Sequence, residues 1–158
     1  MRETTMGART PVVKLRPVRH PKAGGNRWCG PAIVSALTGL DTAETAAMFR
    51  IVTGRRKITG THQWEVRTVL TRLGLQVREV AVYSGAGRMQ PTLASWHKRW
   101  RQDGRFADGV VWLVSAGHHW QAVTARKYVC GRTGDVVSIK DERVKRRARV
   151  RAVWQITQ

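Results

Sequence analysis

The sequence is poor in acidic residues and in cysteine, and it contains no long apolar run. Of its 158 residues only 10 are Asp or Glu, against 29 Lys or Arg, which gives a formal net charge of +19. No stretch approaches the roughly 18 consecutive apolar residues of a transmembrane helix, so we expect no membrane span. The basic start, residues 1–9, is not followed by an apolar segment. We therefore expect no secretory signal peptide and, by default, a cytoplasmic protein.

The two cysteines, Cys29 and Cys130, are too few for a disulfide framework. A single bridge between them stays open from the sequence and would remove the free thiol of Cys29. A zinc site built from both cysteines and His119 is the other possibility. The close ligand spacing typical of zinc sites is missing, so we expect neither a metal nor a cofactor.

The excess of positive charge is spread through the chain and peaks at both ends. Such a charge attracts polyanions through counterion release, so nucleic acid or an acidic protein surface is the expected partner. The alternative is that arginine serves only solubility. Residues 1–25 combine basic residues with three prolines and the pair Gly24-Gly25, which predicts an extended arm. Within the arm, residues 11–15 could add an edge strand. Residues 26–158 are predicted to form one domain, with a basic C-terminal strand region.

Apolar spacing predicts helices in the first part of the chain and strands in the second, which is an α+β fold. The predicted helices begin at Cys29, at Asp41, after a Thr61 cap and at Pro91, and the first and third end at Gly39 and Gly74. The spacing of Trp96 and Trp100 on the fourth helix favours core packing over base stacking.

Strands are predicted over residues 75–83, 110–114, 119–124, 127–130, 135–139 and 149–156. Residues 110–114 are apolar throughout, which is typical of a strand covered on both faces. In the last strand Val150, Ala152, Trp154 and Ile156 are expected to share one buried face.

Cys29 begins the first predicted helix, in the segment Trp28-Cys29-Gly30-Pro31. The first N–H groups of a helix have no intrahelical partner and carry the positive end of the dipole, so this position favours a thiolate. A base could be supplied by the distant segment Gly117-His118-His119-Trp120. A reactive cysteine with a distant histidine is the arrangement that a cysteine hydrolase needs in space. Strand alternation places the two imidazoles on opposite faces, so only one of them can face the thiol. His118 is the second choice for the base, after His119.

The Cys-Gly-Pro helix start and the later Gly-His-aromatic strand start resemble the papain-like cysteine peptidases. The most similar branch contains bacteriocin-processing peptidases and small stand-alone relatives, some of them in tailed-phage genomes. The resemblance covers roughly residues 26–139. It implies a nucleophile at Cys29 on the leading helix, a base at His119, and an antiparallel sheet after the helices.

Two positions depart from the family pattern. Where the family has Asp or Asn to orient the histidine, this chain has Cys130, and Asp135 is the nearest acidic substitute, with Asp141 as the next choice. Where the family has a Gln before the nucleophile, the nearest amide is Asn26, which is either an oxyanion donor or a turn residue.

Two functions follow from the sequence. The first is a thiol hydrolase that cleaves a peptide or protein substrate and could be carried as a phage virion component. The second is a weakly active or inactive papain-like fold that serves as a basic structural or nucleic-acid-associated virion protein, in contact with other virion subunits.

Overall fold

Four α-helices and a six-stranded sheet make up the computed structural model, which describes residues 13–19 and 28–158. The helices are α1 (Cys29–Thr38), α2 (Thr42–Thr53), α3 (Gln63–Arg72) and α4 (Leu93–Gln102). The strands are β1 (Gln76–Val82), β2 (Val111–Ala116), β3 (His119–Val123), β4 (Lys127–Cys130), β5 (Val137–Ser138) and β6 (Val150–Thr157). The predicted α+β class is confirmed.

The predicted end of α1 and the predicted start of α2 are confirmed. Gly39 ends α1 in the left-handed conformation and donates its N–H to the Ser35 carbonyl. The Asp41 carboxylate accepts the Ala43 N–H at 2.8 Å and caps α2. The predicted Thr61 cap of α3 is wrong, because His62 is the N-cap residue and Thr61 packs against α1 instead.

All strand pairs of the sheet are antiparallel, in the order β1-β6-β2-β3-β4-β5. Helices α1, α2 and α3 cover one face, where their apolar residues pack against Leu113, Ala122 and Trp154. Helix α4 covers the other face and packs against Trp112 and Val114 of the same strand β2. The central strands β2 and β3 are therefore buried on both faces, as the apolar run of β2 predicts.

Strand β6 does not keep the predicted alternation. Ser115 pairs with Ala152, but the next β2 residue, Ala116, pairs with Val150, so Arg151 is an extra residue in a β-bulge. Because of the bulge, Val150 packs on the α4 side while Ala152 packs on the α1 side. Val153 is fully buried on the α4 side as well, which a one-sided sheet would not allow.

The helix α4 buries its tryptophans, as its spacing predicts. Trp96 and Trp100 are 1% and 5% exposed, and their ring centroids lie 5.0 Å apart. The α4 cap is Thr92, whose hydroxyl oxygen accepts the Ser95 N–H at 3.1 Å, so the helix begins two residues after Pro91.

The described part of the predicted arm, residues 13–19, lies against the domain without forming a strand. Val13 and Val18 are buried in the α1 side of the core. The Arg16 N–H donates to the Ala36 carbonyl, and the Val18 N–H donates to the Gly134 carbonyl. The rest of the predicted arm lies outside the described residues. In the ranges 13–19 and 28–158, no helix has the length and apolar character needed to cross a membrane.

Candidate functional site

Cys29 is the first residue of α1, at the position predicted from the sequence. Its side chain is 8% exposed and packs in the α1 side of the core, beside the first residues of β3. Burial raises the pKa of the Cys29 thiol above its ordinary value. This effect outweighs the opposing interactions with the Trp120 backbone, the Thr61 hydroxyl and the Gly30 backbone. The thiol is therefore protonated at neutral pH despite its place at a helix N-terminus.

Close packing against Thr61 explains why the residue after Cys29 is a glycine. A Cβ atom at Gly30 would lie 2.5 Å from two atoms of the Thr61 side chain, so a larger residue would push α1 away from the segment before α3. Pro31 lies in the first turn of α1, where a backbone N–H is not needed. The Cys-Gly-Pro pattern is thus consistent with tight packing at this helix start, apart from any catalytic role.

His119 is the first residue of β3 and follows a two-residue hairpin turn. Gly117 and His118 both have positive φ, 58° and 56°, as a type I′ turn requires. The turn pairs Ala116 with His119 and Val114 with Gln121. Cross-strand partners share a face, so His119 lies with its partner Ala116 on the α4 side of the sheet. Trp120 lies on the α1 side.

The imidazole of His119 is buried, and its surroundings disfavour the protonated form. Its Nε2 atom is buried and has no hydrogen-bond partner in the described part of the chain, and the residue is 5% exposed. The pKa of His119 is lowered from 6.5 to about 4, mainly by burial and in addition by the positive charges of Arg132 and Lys145. This histidine is neutral at physiological pH.

Cys29 and His119 both border one open space, but they share no hydrogen bond. They belong to opposite sides of the sheet, and no hydrogen bond or charge interaction joins them within residues 13–19 and 28–158. A thiol–imidazole dyad needs a hydrogen bond between the two groups so that the proton can pass to the ring. This structure lacks that hydrogen bond.

The remaining predicted site residues lie elsewhere. Asp135 is exposed in the turn after β4, and its backbone carbonyl accepts the Thr133 hydroxyl at 2.9 Å. Its carboxylate makes no hydrogen bond to His119 among the described residues. The carboxylate of Asp141 binds the guanidinium of Arg143 instead, with a shortest distance of 3.0 Å. Asn26 lies outside the described residues.

Cys130 is buried on the α4 side and is not bonded to Cys29, since both cysteines are free. The disulfide alternative is thus absent from this structure. No group of three or more metal-binding side chains occurs in the ranges that the structure describes.

Gln121 is a buried polar residue near Cys130. It accepts a hydrogen bond from the Tyr128 hydroxyl at 2.8 Å and donates one to the Ala116 carbonyl. Gln121 was not predicted as a buried residue.

A groove of about 1040 Å³ opens between the start of α1, the start of α3 and the hairpin turn. We call it the Cys29 groove. Its lining residues are Cys29, Arg55, Thr59, Gly60, Thr61, His62, Gln63, Trp64, Arg67, Glu79, Ser115, His118, His119, Trp120, Arg151 and Trp154. Cys29 therefore borders an open space, and of the two histidines His118 is the one exposed there. Cys29 and His119, which the sequence motifs identify, both line this groove. Trp64, Arg67 and Arg151 line it as well, but they were not predicted as site residues.

A second cavity, of about 670 Å³, lies on the other side of the sheet between α4 and the segment 139–146. We call it the α4 cavity. Four cationic residues line it: Lys98, Arg101, Lys140 and Arg146. No Asp or Glu is among the described residues of its lining. His97 also borders it, with Nε2 3.1 Å from the Thr124 carbonyl oxygen. Because like charges repel, four cations around one space favour an anionic ligand.

Comparisons with protein-family models, curated proteins and solved structures found no match for this chain. The papain-like relationship, and the phage association that came with it, stay predictions from short motifs.

Proposed function

We propose that this protein is a non-catalytic, basic protein that binds nucleic acid. The observation that carries the proposal is the α4 cavity, where two cations of α4 and two of the segment 139–146 surround a space without any carboxylate in its lining. Lys98 and Arg101 are exposed on α4, so their charges can reach a ligand's phosphates. The net charge of +19 adds a long-range attraction for polyanions.

The state of the expected dyad supports a non-catalytic role. A cysteine hydrolase needs a thiolate and a base that takes its proton. Burial keeps the Cys29 thiol protonated and makes the His119 imidazole a weak base, and no hydrogen bond joins the two groups in the described part of the chain. Three helices precede the first strand and α4 follows β1, so a largely helical first part before an antiparallel sheet supports a papain-like plan. We therefore infer an inactive papain-like fold, and an association with packaged nucleic acid in a virion is part of the same proposal.

Binding to a fluorescein-labelled 20-base-pair duplex, followed by anisotropy from 50 to 300 mM NaCl, tests the proposal. Four phosphate contacts predict a log–log salt slope of about −3 to −4. The double substitution Lys98→Gln/Arg101→Gln should make that slope less steep by about 2. The matched control Arg72→Gln/Lys127→Gln removes the same charge at exposed positions outside the cavity and should leave most of the slope.

Two results would overturn the proposed function. One is the lack of measurable duplex binding at 50 mM NaCl, and the other is a salt slope near zero. Equal losses in the two double variants would show that binding depends on net charge and does not use the α4 cavity.

A thiol hydrolase is the second candidate, because Cys29 borders an open groove that also exposes His118. In this version His118, from the hairpin turn, takes the role of the base. Turnover of a broad peptide library that is lost in both Cys29→Ala and His118→Asn, but kept in His119→Gln, would favour this candidate. Asn is chosen at position 118 because it tolerates positive φ.

A further inference from the structure

Trp64 differs from the other tryptophans of the chain in its exposure. Of the seven tryptophans, five are buried with at most 5% exposed surface: Trp96, Trp100, Trp112, Trp120 and Trp154. Trp64, on the first turn of α3, is 49% exposed and lines the Cys29 groove. Its indole N–H makes no hydrogen bond to any described residue. A large ring left in water on the wall of a groove is available to stack on a ligand.

Two arginines accompany this ring. Arg67 follows Trp64 by three residues on α3, so both side chains lie on one face of the helix. Arg151 is the bulge residue of β6, and the bulge turns its side chain into the groove. Neither guanidinium forms an ion pair within the described ranges, whereas Arg55 is bound to the buried carboxylate of Glu65.

Among the described residues that line the groove, Glu79 carries the one carboxylate, whereas Arg67 and Arg151 carry two guanidinium groups without an ion pair. The groove is therefore cationic as well as aromatic. Its volume of about 1040 Å³ lies just above the usual range of ligand pockets, about 300–1,000 Å³, so the space is large enough for a nucleotide. An aromatic platform beside free guanidinium groups is the combination that binds a base and its phosphates in single strands.

We propose that the Cys29 groove binds a single-stranded segment of nucleic acid, with an unpaired base stacked on Trp64 and the adjacent phosphates on Arg67 and Arg151. A duplex keeps its bases stacked on one another, so only an unpaired base can present its face to the indole. This inference rests on the proposed function, since it assumes a nucleic-acid ligand. It adds a second site, on the opposite side of the sheet from the α4 cavity.

The test compares three fluorescein-labelled probes of equal length: a dT15 strand, a 15-base-pair duplex, and a 15-residue abasic strand that has phosphates without bases. The variants are Trp64→Ala and Trp64→Phe, and Ile51→Ala is the matched control because Ile51 is 68% exposed on α2, outside the groove. Thermal melting checks that each variant is folded.

Trp64→Ala should weaken dT15 binding about tenfold or more and leave duplex and abasic binding unchanged. Trp64→Phe should restore most of the dT15 affinity because it keeps an aromatic face. Ile51→Ala should bind all three probes as the parent does. Arg67→Gln should weaken both single-stranded probes and reduce the size of their log–log salt slope by about 1.

Unchanged dT15 affinity in Trp64→Ala, or an equal loss for dT15 and the abasic strand, would overturn this inference. If the duplex still binds through the α4 cavity, the proposed function stands when the inference fails. If none of the probes binds, both fail.

Discussion

The burial of His119 predicts that acid destabilises the fold by a defined amount. Its pKa falls from 6.5 to about 4 in the folded protein, first because of burial and then because of Arg132 and Lys145. Between these two values the unfolded chain binds a proton that the folded chain does not. The free energy of unfolding therefore falls as the pH is lowered from 6.5 towards 4, and it is unaffected by this group above pH 7.

The size of the effect follows from the distance between the two pKa values. Each tenfold difference in proton affinity is worth about 1.4 kcal/mol, so a shift from 6.5 to about 4 corresponds to about 3 kcal/mol. The residue is only 5% exposed, so solvent screening reduces this little. A loss of this size is a large share of the 5–15 kcal/mol that stabilises a typical domain.

Urea unfolding followed by fluorescence at pH 7 and pH 4.5 measures the loss. Other acid-sensitive groups also contribute, including His97, whose pKa is lowered by burial. The quantity to compare is therefore the difference between the parent and His119→Gln. The parent should lose about 2.5 kcal/mol more than this variant. His118→Asn, at an exposed position in the adjacent turn, should lose as much as the parent. Equal losses in the parent and His119→Gln would refute a buried, neutral His119.

Two more predictions concern single positions. At pH 7, iodoacetamide should label Cys29 more slowly in the folded protein than in the urea-unfolded chain, because burial raises the pKa of its thiol. Mass spectrometry of the labelled peptide measures this, and faster labelling in the folded protein at mildly acidic pH would contradict it. Thr92→Ala should lower the free energy of unfolding by about 1 kcal/mol, because the cap of α4 is lost. A urea midpoint equal to the parent's would contradict that role.

Local signals were enough to predict the end of α1, the start of α2 and the order of the elements. Gly39 ends α1 because left-handed backbone suits glycine, and Asp41 begins α2 because its carboxylate accepts a free N–H. These interactions involve residues a few positions apart, so the sequence contains all the information. The Thr61 cap failed because a contact with Gly30, distant in sequence, determines where that side chain lies.

The face on which His119 lies could not be predicted in the same way. In a sheet with one side in water, the polar side of each strand identifies the outer face. Here both faces are covered, so His119, Trp120, Gln121 and Ala122 are all buried and the strand carries no such signal. The type I′ turn at Gly117 and His118 fixes the register, and it places His119 opposite Ala116 on the α4 side.

The relative sizes of the helix-dipole effect and the burial effect on the thiol explain why a cysteine at a helix start need not be reactive. The helix dipole favours a thiolate by about 0.3–1 kcal/mol, and by up to about 2 kcal/mol in partly buried sites. Burial of an ionisable group can oppose ionisation by several pKa units, which is several kcal/mol. With Cys29 8% exposed, burial is the larger effect on the pKa of its thiol. At this helix N-terminus burial therefore outweighs the dipole, and no hydrogen bond joins Cys29 to His119 in the described part of the chain.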